Sequence, residues 1–311
     1  MPDLKNSSKG WKVVTNCSSI KRRQNAPITP ALSHRTLEDL CEAWINKVNK
    51  ASDLAKASET YGGRSFSESL AASSQLSADL YVISAGLGLV HAEDLIPHYN
   101  LTISQGDGSI AAWLKKKSTD ASDWWRLLNQ KLNKPGPLFR LAKSSDGLLL
   151  ALPSTYLNLV SDELMMMSDE TLAKVYIITS HAGQRNIAPK LRGRCLPYDE
   201  RLDGSPLYQG TRNDFPQRAL KHLVSEIDFK DIPISTTQSK VLDYLKSHTK
   251  PTLPARVKQD DQQIKQLIRK NWEKCEGNRE KLLRYLRDIA LVSCEQKRFG
   301  YLWNEVKLDF S

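Results

Sequence analysis

Four short apolar runs decide what this chain can fold into. They are residues 11–15 (WKVVT), 78–84 (ADLYVIS), 147–152 (GLLLAL) and 175–179 (VYIIT). Each is continuous, not alternating, and has the length of a strand. A strand that is apolar on both faces must be covered on both. The segments between the runs have helical spacing. Thr36 opens one of them, with Asp39 in capping-box position and Leu37, Leu40, Trp44 and Val48 on a single stripe. Residues 65–76, 110–132 and 169–174 read as further helices. Strands that alternate with helices predict an α/β fold: a central parallel sheet with helices on both faces. Ligands of such sheets sit at the carboxyl ends of the strands. Those ends carry Asn16-Cys17-Ser18, Ser84-Ala85-Gly86, Pro153-Ser154-Thr155-Tyr156 and Ser180-His181-Ala182-Gly183, all beginning with small or polar residues.

The pattern breaks across residues 227–237, which divides the chain into an α/β domain (1–236) and a helical C-terminal region (237–311). In that region residues 241–247, 260–274 and 278–291 read as helices, and 294–303 as a last helix or hairpin. From Lys240 onward there are 16 Lys and Arg against 10 Asp and Glu. The whole chain carries 45 against 35, a net charge of +10. Such an excess favours a polyanion, nucleic acid before a membrane surface. The basic helices suit a DNA-binding appendage or a solvated cap. No apolar run nears the roughly 18–20 residues of a membrane helix, and the N-terminal MPDLKNSSKGWKVV lacks a signal-peptide core. The five cysteines are odd in number and widely spaced, and no C-x-x-C or H-E-x-x-H occurs. A cytoplasmic monomer without disulfides, metal or cofactor is expected.

Several segments have residues suited to chemistry. NCSSIKR (16–22) follows the first strand. Its polar turn could hold water or substrate, with Lys21 and Arg22 for phosphate, or be an ordinary strand-to-helix turn. YGGRSF (61–66) is a glycine-kinked turn with Arg64, and it matches no phosphate-loop motif. Residues 84–102 read as a long loop carrying His91, Asp94, His98, Tyr99 and Asn100, and such loops tend to carry function. In it Tyr99 could stack on a base. His181 lies just past the fourth strand, facing a cleft or capping a helix. Residues 196–214 are dense in carboxylates and arginines, a specificity loop or a salt-bridged excursion. Met165 to Met167 read as core filler.

The series NCSSIKR, YGGRSF and LYVISAGLGLV with IPHYNLTI resembles the peroxide-stress YaaA-like group over about the first third of the chain. Cys17 and Lys21 match its C-x-x-x-K turn; Ser84, Gly88, Leu89, Pro97 and Tyr99 match its second segment. That group is similar in fold to uracil-DNA glycosylases and, more narrowly, the chain resembles anti-phage DNA glycosylases that remove glucosylated hydroxymethylcytosine. The resemblance implies that Asn16 positions the attacking water and that His181 donates to the leaving base. It also implies that the strand at 148–152 reads the base. The uracil-type Gly-x-Asp-Pro-Tyr and His-Pro-Ser motifs are absent, which implies a base other than uracil. The expected function is excision of a modified cytosine from double-stranded phage DNA, leaving an abasic site.

The chemistry needs a stabilised sugar cation, a held water and a donor to the base. Asp94 is the expected acid, with Asp199 as its alternative, and Ser84, Tyr99, Ser154 and Thr155 are expected to bind the base. Base flipping needs cations on the phosphates: Lys21, Arg22, Arg64, Arg185, Lys265, Arg269 and Lys270. The alternatives are a DNA-binding stress protein without catalysis and a small-molecule nucleoside hydrolase.

Overall fold

A computed structural model of the protein describes residues 9–252 and 254–310. In the first unit β1 (Trp11–Asn16) leads through α1 (Leu37–Asn49) and α2 (Arg64–Leu76) into β2 (Asp79–Ser84). β3 (Gly88–His91) turns straight back along β2. Next come α3 (Ala121–Lys131), β4 (Gly147–Ala151), α4 (Ser154–Met165) and β5 (Val175–Ile178). α5 (Phe215–Glu226) and α6 (Ile234–Lys246) complete the unit.

The sheet order is β3-β2-β1-β4-β5. β1 lies in the middle and pairs parallel with β2 and β4, with Val14 opposite both Tyr81 and Leu150. β5 runs parallel to β4, and only β3 is antiparallel. Residues 194–196 extend the sheet beyond β5, through Ile177 N to Arg194 O at 2.8 Å and Leu196 N to Ile177 O at 2.9 Å. Helices α2 and α5 pack together over one face, and α1, α3 and α4 form a second group. This is why β4, Gly-Leu-Leu-Leu-Ala, is buried along its whole length.

The four strands expected from the apolar runs all form, and Thr36 caps α1 by accepting from Asp39 N at 3.1 Å. Three readings change. The stretch at 85–104 is no long loop, because it holds β3 and a strand Leu95–Pro97 paired with Leu54–Lys56. The helical stretch at 110–132 is two helices, Ala111–Lys116 and α3, with Ser118 at φ 51 between them. Of the three methionines only Met167 is core; Met166 is 84% exposed.

A second compact unit begins after Pro251, later than the expected break at 236, since Val241 and Leu245 of α6 belong to the first core. It contains α7 (Asp261–Lys270), α8 (Arg279–Arg284) and α9 (Gln296–Lys307). Its separate core includes Ile264, Ile268, Leu282, Leu286, Phe299, Leu302 and Val306. Asp260 and Gln263 form a capping box at the start of α7. All five cysteines are buried free thiols. Among the described residues no helix is long and apolar enough to cross a membrane.

Candidate active site

From β1 the chain moves to β2 on one side, then crosses to β4 on the other. The order therefore reverses beside β1, and a doubly wound sheet opens its ligand crevice at such a point. Asn16 ends β1 there and is half-buried. Its Nδ2 donates to Cys17 O at 2.9 Å, and its Oδ1 accepts from Gln217 Nε2 at 2.9 Å. Gln217 comes from the first turn of α5 and is fully buried. Its Nε2 also lies 3.1 Å from Thr15 Oγ1 and 3.0 Å from Ala151 O. One amide nitrogen thus spans from β1 to β4. The oxygen of that amide, Gln217 Oε1, has no hydrogen-bond partner among the described residues. A buried acceptor left unmatched costs about 1–3 kcal/mol, so this atom calls for a donor from water or ligand.

The neighbouring strand ends continue the same edge. α4 starts at Ser154, half-buried, with Thr155 exposed, and Pro153 provides no side-chain cap for its free N–H groups. Beyond β5, Ser180 caps the short helix His181–Asn186 by accepting from Gly183 N at 3.2 Å, and His181 stands exposed at its first position. The strip beside β5 ends at Asp199, which Arg201 grips with Nε and a terminal nitrogen at 2.8–3.1 Å. Burial works to raise the pKa of Asp199. The Arg201 hydrogen bonds outweigh it and hold the carboxyl below its ordinary range, with the charge of His181 adding to the effect. Adjacent strands lie about 4.8 Å apart, so the ends of β1 and β5 are separated by about 10 Å.

Asp94 is not part of this edge. Because β3 reverses direction, residues 92–94 return to the start of β2, where Ala92 N bonds Leu80 O. Asp94 is exposed there and accepts from His91 N at 2.9 Å, closing a turn. Ser84 and Tyr99 are also corrected. Both are fully buried. Ser84 Oγ accepts from Gly86 N and Leu87 N and lies 2.6 Å from Tyr99 Oη, which in turn meets Tyr61 Oη at 2.7 Å. The Tyr99 ring packs on Trp44, leaving no face for a base.

The cations separate into three kinds. Arg22, Arg64 and Arg185 are exposed. Arg22 N bonds Thr60 O and Gly62 N bonds Ile20 O, which joins the loop after β1 to the start of α2. Gly63, at φ +84, caps α2 without a side chain, so free N–H groups and Arg64 face the same loop. Among the described residues Arg64 has only long ion-pair contacts, 3.4 Å to Glu68 and 3.9 Å to Asp214. Lys21 differs, since its Nζ folds back onto Ser18 O at 2.9 Å and over the Tyr99 ring at 4.5 Å. In the second unit Lys265 pairs with Glu305 and Arg269 with Asp309, so both charges are neutralised between α7 and the C-terminal segment. Lys270 remains exposed.

Gln217 escapes sequence reasoning, because a glutamine in a stretch rich in carboxylates reads as surface. The signal for its helix was present: Phe215, Leu220 and Leu223 at helical spacing, with Pro216 in the first turn. Cys17 Sγ meets Tyr156 Oη at 3.0 Å, a contact across 139 residues that no local pattern shows. Among the described residues no group of His, Cys, Asp and Glu could hold a metal ion. Comparison with family models, curated proteins and solved structures returns no match.

Proposed function

We propose that the protein is a DNA glycosylase with a uracil-DNA-glycosylase-like fold, which hydrolyses the N-glycosidic bond of a modified cytosine and leaves an abasic site. One observation carries the reading: at the point where strand order reverses, Asn16 and Gln217 form a polar floor with an unmatched buried acceptor. A water donating to Gln217 Oε1 beside Asn16 is held for attack on the anomeric carbon. His181, exposed at the end of β5, donates to the departing base. Asp199 replaces Asp94 as the carboxylate that stabilises the sugar cation, because it is ionised and lies on the correct edge. Arg22, Arg64 and Arg185, with the uncapped starts of α2 and α4, grip the phosphates while the base is flipped out.

The base is glucosylated hydroxymethylcytosine, following the resemblance, with Ser154 and Thr155 at the crevice wall. A site that hydrogen-bonds sugar hydroxyls rejects bases that lack them, since its polar groups would be left unpaired. Phage DNA that carries the sugar would be attacked and host DNA spared. The test treats glucosylated, hydroxymethylated and unmodified DNA side by side with the purified protein, then cleaves abasic sites with alkali. Fragmentation of the glucosylated DNA alone is expected. Equal fragmentation of all three, or of none, overturns the reading. Salt-sensitive DNA binding without base release would identify a binder instead.

A further inference from the structure

Lys21 stands apart from the other cations. Its Nζ makes one hydrogen bond, to Ser18 O, and lies 4.5 Å from the Tyr99 ring centre and 5.8 Å from that of Tyr61. No carboxylate pairs with it among the described residues. A half-buried lysine without a counterion has no opposite charge to offset its partial desolvation. Burial lowers its pKa, against the opposing effect of the Cys17 thiol. Lysines desolvated in this way serve as nucleophiles, because more of the amine is uncharged near neutral pH. The position is also suitable. Ser18, which anchors the amine, lies in the turn that follows β1, two residues beyond Asn16, at the strand-end edge where the strand order reverses.

We propose that Lys21 is a second reactive group of this site, whose amine captures the sugar aldehyde of an abasic site and cleaves the strand by β-elimination. This rests on the glycosylase reading for its natural substrate, since base release supplies the aldehyde. The nitrogen lone pair adds to C1′ of the ring-opened sugar. The carbinol oxygen takes up a proton and leaves as water, which gives an imine between Nζ and C1′. Water removes a C2′ proton, the C2′–H electron pair forms the C2′=C3′ bond, and the C3′–O bond breaks with departure of the 3′ phosphate. Hydrolysis of the imine returns the free lysine. No oxidant or reductant takes part.

The experiment mixes the full-length protein with a synthetic duplex carrying one ready-made abasic site and adds sodium borohydride, which reduces the imine to a stable amine. A covalent protein–DNA adduct is expected, and peptide mapping by mass spectrometry should place it on Lys21. Lys21→Arg should lower adduct yield at least tenfold while melting within a few degrees of wild type. No adduct, or an adduct mapped to another lysine, overturns the proposal, and the mapping needs no variant to fold. The abasic site is supplied in advance, so a protein that excises no base can still form the adduct. A protein that excises bases can likewise fail to form it, and the two readings therefore fail separately.

Discussion

Asn16 and Asp94 look alike in the sequence, each a small polar residue shortly after an apolar run. The structure puts them at opposite edges of the sheet, because β3 returns antiparallel along β2. Under the glycosylase reading, Asn16→Ala should lower base release at least 100-fold, the low end of what a positioned catalytic group supplies. It removes hydrogen bonds to Gln217 and Cys17 and should cost about 1 kcal/mol of stability, leaving the fold intact. Asp94→Ala should keep turnover within about twofold, since it loses only a turn bond to His91 N. Measured rates with melting curves decide this. Full turnover in Asn16→Ala, or a collapse of turnover in Asp94→Ala, would reverse the assignment. Residue identity offers a polar group at both positions, and only strand direction separates them. That direction depends on Gly88, whose φ of +71 makes the turn.

At the scale of the element, α5 joins sheet and site. Successive positions on it face different buried partners. Gln217 reaches Asn16 and Ala151, while Arg218 binds Asp203 and Asp214 at 2.5 and 2.7 Å and the carbonyls of Tyr208 and Thr211. One turn on, His222 Nδ1 meets Tyr198 Oη at 2.7 Å, and its ring packs on Tyr244 at 3.9 Å. The four strands and α1 were legible because apolar periodicity reports burial directly. The place of Gln217 on α5 was not, because its partners Thr15, Asn16 and Ala151 lie 66 to 202 residues away in the chain. His222 also predicts a pH dependence. Burial, and then the charge of His248, lower its pKa from 6.5 to about 4. Between those values the unfolded chain binds more protons than the folded one, so stability rises with pH. The contribution is fully present above pH 6.5 and is lost as pH falls toward 4, by about 3 kcal/mol at most. Chemical denaturation at pH 7 and pH 4.5 should show the loss, and His222→Gln should reduce it. An unchanged difference would assign the acid sensitivity elsewhere.

The molecule as a whole has two hydrophobic cores that share no residue. A chain ended after Pro251 keeps every residue of the first core, including Val241 and Leu245 of α6. It should melt cooperatively and, under the glycosylase reading, still release base from a short duplex. A chain ended at Thr237 loses most of α6 and should melt at least several degrees lower or aggregate. Equal melting of the two would place α6 outside the cooperative unit. The sequence showed that a basic helical region follows the sheet domain. It did not show the border, because the linker-like residues at 227–233 sit between two helices that pack in one core.

The central place of β1 has a consequence in time. Trp11 pairs with Gly147 and Lys12 with Asp79, so the strand leaves the ribosome long before either neighbour exists. Parallel pairings this distant in sequence form slowly, and an apolar strand waiting for them can pair with the wrong chain. The β2–β3 hairpin closes locally and early, but it covers only one flank of the growing sheet. During synthesis Val13 and Val14 therefore lack the cover of one flanking strand until β4 has emerged.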